Sequence, residues 1–103
     1  MTELSEAELD GLVGRAVVDA ADDDEQMTAL YTSIQDNLSL PFATTVLGVE
    51  VSVTALDLTA SGVVAICVRG EHRQAIPVLD LPMPVPPPAG AEWIAAFRHW
   101  VGA

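Results

Sequence analysis

Along the chain, the spacing of apolar residues changes twice. Near the start, Leu9, Leu12, Val13, Ala16 and Ala20 recur every three or four residues, the spacing of one stripe on a helix. Ser5 and Glu8 precede that stripe as a capping box, in which hydroxyl and carboxylate each accept the other residue's backbone N–H, so a helix is predicted over Ser5 to Val18. Asp22 and Glu25 repeat the signal. Met27, Leu30, Tyr31, Ile34 and Leu38 then mark the apolar face of a second helix, Asp22 to Asn37, with Met27, Leu30, Tyr31 and Ile34 predicted to be buried. Asn37 tolerates the left-handed conformation found just past a helix, and Pro41 keeps the helix from resuming.

From Phe42 to Leu81 the chain is rich in Val, Thr and Ile, with breaks at Gly48, Ser61-Gly62 and Gly70. Val49, Val51 and Val53 alternate with Glu50, Ser52 and Thr54, as a strand with one wet face does. Strands are predicted near Phe42 to Leu47, Glu50 to Leu56, Val63 to Val68 and Gln74 to Val78. The intervals are too short for crossover helices, so the strands must be antiparallel hairpins. Five of the seven prolines then fall between Pro82 and Pro88. That stretch reads as an extended connector, whose PxxP spacing would also suit a polyproline-reading domain. A last helix, Ala89 to Val101, places Trp93, Ala96, Phe97 and Trp100 on one face for docking in the core. The expected architecture is a single α+β domain over residues 1–103, its helices packed on an antiparallel sheet of about four strands that can curl toward an SH3-like barrel.

Charge narrows the function. The 103 residues hold 15 acids against four arginines and no lysine, a net charge of -11, so a basic patch for nucleic acid has no material and an anionic membrane surface repels the chain. Acidic residues at the N-terminus, and the lack of any apolar run near the roughly 20 residues that span a bilayer, predict a soluble, cytoplasmic protein. Cys67 is the only cysteine and reads as a small buried hydrophobe within VVAICV. No nucleophile, phosphate-loop or zinc-protease motif is present; His72 lies in a polar turn, His99 near a helix end, and Glu50 and Asp57 on a hairpin too short to enclose a substrate. Enzymatic activity is not expected.

The acidity is local: residues 1–36 carry ten acids and one arginine, leaving -9. Its densest part is DAADDDE, Asp19 to Glu25. Residues three and four apart share a helix face, so Asp19 can meet Asp22 and Asp23, and Asp22 can meet Glu25, while Asp24 points elsewhere. Carboxylate oxygens in such a group suit calcium, which takes six to eight oxygen ligands. The same acids also serve as caps at the positive end of the second helix, and both readings remain open. The spacing is not that of an EF-hand, since the positions after Asp22 that require Asp and Gly hold Gln26 and Met27.

The stretch GRAVVDAADDDEQMTALYTSIQDNLSLPF, Gly14 to Phe42, resembles the cyanobacterial-type calcium-binding protein family (CcbP-like), small acidic bacterial proteins. The resemblance rests on Val17-Val18-Asp19-Ala20, the acidic run from Asp22 to Gln26, Tyr31, Asp36-Asn37-Leu38 and Pro41-Phe42. VSVTAL, VVAICVRG, QAIPVLDL and FRHW extend it more weakly. It implies a compact α+β fold and a cytosolic calcium buffer or sensor whose candidate ligands are Asp19, Asp22, Asp23, Asp24, Glu25 and Asp36. The hairpin loop DLTASG, acid-rich in the family, carries only Asp57 here. The alternative is an acidic interaction module that binds a basic protein partner and has no metal role.

Overall fold

The computed structural model describes residues 4–102. Its elements are helices α1 (Glu6–Ala16) and α2 (Asp23–Asn37), strands β1 (Phe42–Val46), β2 (Val49–Thr59), β3 (Gly62–Arg69) and β4 (His72–Pro77), a 3-10 turn (Val78–Asp80) and helix α3 (Ala91–Val101). They fall into two compact units, one formed by the chain up to Asn37 together with the segment from Gly90 onward, the other by residues 38–89. Among the described residues no helix is long and apolar enough to cross a membrane. The fold is α+β.

In the helical unit the Ser5 capping box forms in full: Glu8 N–H donates to Ser5 Oγ at 3.1 Å and Ser5 N–H to Glu8 Oε1 at 3.3 Å. The helix stops at Ala16 rather than Val18, where Val17 leaves helical geometry while its N–H still reaches the Val13 carbonyl. α1 buries none of its residues fully. Its stripe Leu9, Leu12, Val13 and Ala16 is half-buried, and polar contacts to α3 add to this, with the Arg15 guanidinium 5.5 Å from the Trp93 ring centroid and Asp10 Oδ1 2.6 Å from His99 Nε2. On α2, Leu30 and Ile34 are sealed from solvent, whereas Met27 and Tyr31, predicted to be buried, are half-buried at the edges of the stripe. α3 buries Trp93, Ile94, Ala96 and Phe97. Trp100 is only half-buried; its ring stacks on Phe97 and its indole N–H donates to Gln26 Oε1 at 2.9 Å.

The sheet unit is an antiparallel meander in the order β1-β2-β3-β4. It is open, with β1 and β4 as its edges, so the curl toward an SH3-like barrel does not reach closure. Two-residue turns set the register, Val46 facing Val49 across Leu47-Gly48 and Arg69 facing His72 across Gly70-Glu71. Leu47 and Gly48 have φ of 50° and 78°, the left-handed pair of a type I′ turn. Between β2 and β3 the pairing steps from Val53–Cys67 to Ala55–Ile66, leaving Thr54 as a bulge. The bulge explains the sequence pattern: inward residues are Val51 and Val53 before it and Leu56 and Leu58 after it, a change from odd to even positions. The connector from Pro82 to Pro88 forms no helix or strand, and its Pro82 carbonyl accepts from the buried Thr44 hydroxyl.

Candidate metal centre

The acids between α1 and α2 divide into capping and free groups. Asp22 is the residue before α2, and its Oδ1 accepts the Glu25 N–H at 2.9 Å; Glu25 Oε2 accepts the Ala21 N–H at 3.1 Å. Two of the six candidate carboxylates thus each give one oxygen to a backbone amide, one in the first turn of α2 and one just ahead of it. Asp19 lies in the turn after α1, not on a helix, so the face shared by Asp19, Asp22 and Asp23 does not form. The side chains brought near one another are Asp19, Asp24 and Glu25, which line an open cleft of about 450 Å³ with Ala16, Thr28 and Ala29. Asp24, expected to point elsewhere, is in this group because Asp24 and Thr28 stand one helical turn apart on the cleft side of α2. Asp23 is exposed outside the cleft lining. Asp36 sits twelve residues beyond Asp24, and a helix rises roughly 18 Å over that interval, so Asp36 belongs to a separate place.

Chemically the cleft offers hard oxygen donors, the type calcium takes. Geometrically it is not a finished cage: among the described residues no three His, Cys, Asp or Glu side chains are placed to hold a metal ion. The acids ring an open space instead of converging on a point.

Cys67 is buried, its Sγ 3.8 Å from the Ala65 carbonyl, and burial pushes the thiol pKa above its ordinary value. His99 contacts Asp10, a pairing of residues 89 apart that no local sequence signal marks. The sequence reading treats His72 only as a turn residue, yet it stands with Arg69 and Arg73 beside a second groove. The signal was available, since GEHR follows directly on Arg69 in a chain with four arginines.

No family model, curated protein or solved structure matches this chain.

Proposed function

We propose that the protein is a non-enzymatic, low-affinity calcium-binding protein, a cytoplasmic buffer or sensor, whose ion sits in the cleft between α1 and α2. The observation that carries this reading is the grouping of Asp19, Asp24 and Glu25 around one solvent-open space, with Asp22 holding the start of α2 in place. The resemblance over Gly14 to Phe42 supports the same residues. Three carboxylates around an open cleft leave most of the calcium shell to water, so the dissociation constant falls on the order of micromolar to near-millimolar. Magnesium competes poorly, because it needs a tight octahedron and sheds water reluctantly. Calorimetric or NMR titration of the full chain tests the proposal. Asp19→Asn with Asp24→Asn weakens calcium binding at least tenfold, while Asp36→Asn leaves it unchanged. Equal titration by the double variant and the parent would place the ion elsewhere.

A second reading has its own observation. Glu6, Glu8, Asp10, Asp23 and Asp36 are exposed away from the cleft lining, and the helical unit carries most of the negative charge. Such a surface suits a basic protein partner through long-range attraction. It responds to calcium and magnesium alike at equal ionic strength, which separates it from the cleft.

A further inference from the structure

We draw no further inference here: the strongest candidate, the groove on the sheet lined by Val49, Val51, Ile76, Arg69 and His72, is an exposed surface whose positive charge the exposed Glu50 and Glu71 offset, and nothing in the structure shows what covers it.

Discussion

Leu47 and Cys67 are each set by an environment that a neighbouring residue type would answer differently. A left-handed backbone costs an L-residue roughly 1–2 kcal/mol, and asparagine recovers part of this through local hydrogen bonding. Leu47→Asn therefore raises stability by up to about 1 kcal/mol in chemical denaturation; a lower midpoint would show that the leucine makes a contact its 98% exposure does not reveal. Cys67 is buried with a raised pKa, so the native state keeps its proton while the unfolded chain gives it up near the ordinary value of 9.0. Its contribution to stability is present below that pH and is lost as pH rises toward the folded value. Accordingly, Cys67→Ala flattens the decline of stability above pH 9.0 relative to the parent, and the native thiol reacts with iodoacetamide far more slowly than the unfolded one.

At the scale of elements, α1 buries no residue fully, so its cap and its polar contacts weigh more in its stability than they do for α2 or α3. Ser5→Ala removes one half of the capping box and costs about 1 kcal/mol of helix stability. His99→Ala releases Asp10 and raises hydrogen exchange along α1 ahead of α2 and the sheet; uniform exchange across all three helices would mean that α1 opens only with the whole unit. Much of this element list was legible where a start or a turn had a local cause: Ser5 with Glu8, Asp22 with Glu25, and the glycines of the hairpin turns. The bulge was not read, although the step in apolar phase from Val53 to Leu56 marks it. The grouping of acids was not legible, since it depended on where α1 stops. Two residues fewer of helix put Asp19 in a turn, and Asp24 then lines the cleft beside it. The groove beside β4 escaped for a related reason, as it joins side chains from all four strands and needs the register rather than the periodicity.

For the whole molecule, a net charge of -11 makes stability depend on screening. Raising sodium chloride from about 10 mM to 0.5 M shortens the Debye length from roughly 30 Å to less than 10 Å and should raise Tm. Calcium at matched ionic strength should raise it further if the cleft binds the ion, and by no more than magnesium if only diffuse charge is neutralised. Ser39 N–H donates to the Ala89 carbonyl at 2.9 Å, tying the two ends of the sheet unit together. The helical unit is therefore interrupted in sequence by a segment that begins and ends at one place. Within the chain, therefore, α1 and α2 have their third helix only once the segment beyond Gly90 is present, whereas the sheet unit holds all four of its strands inside one uninterrupted stretch.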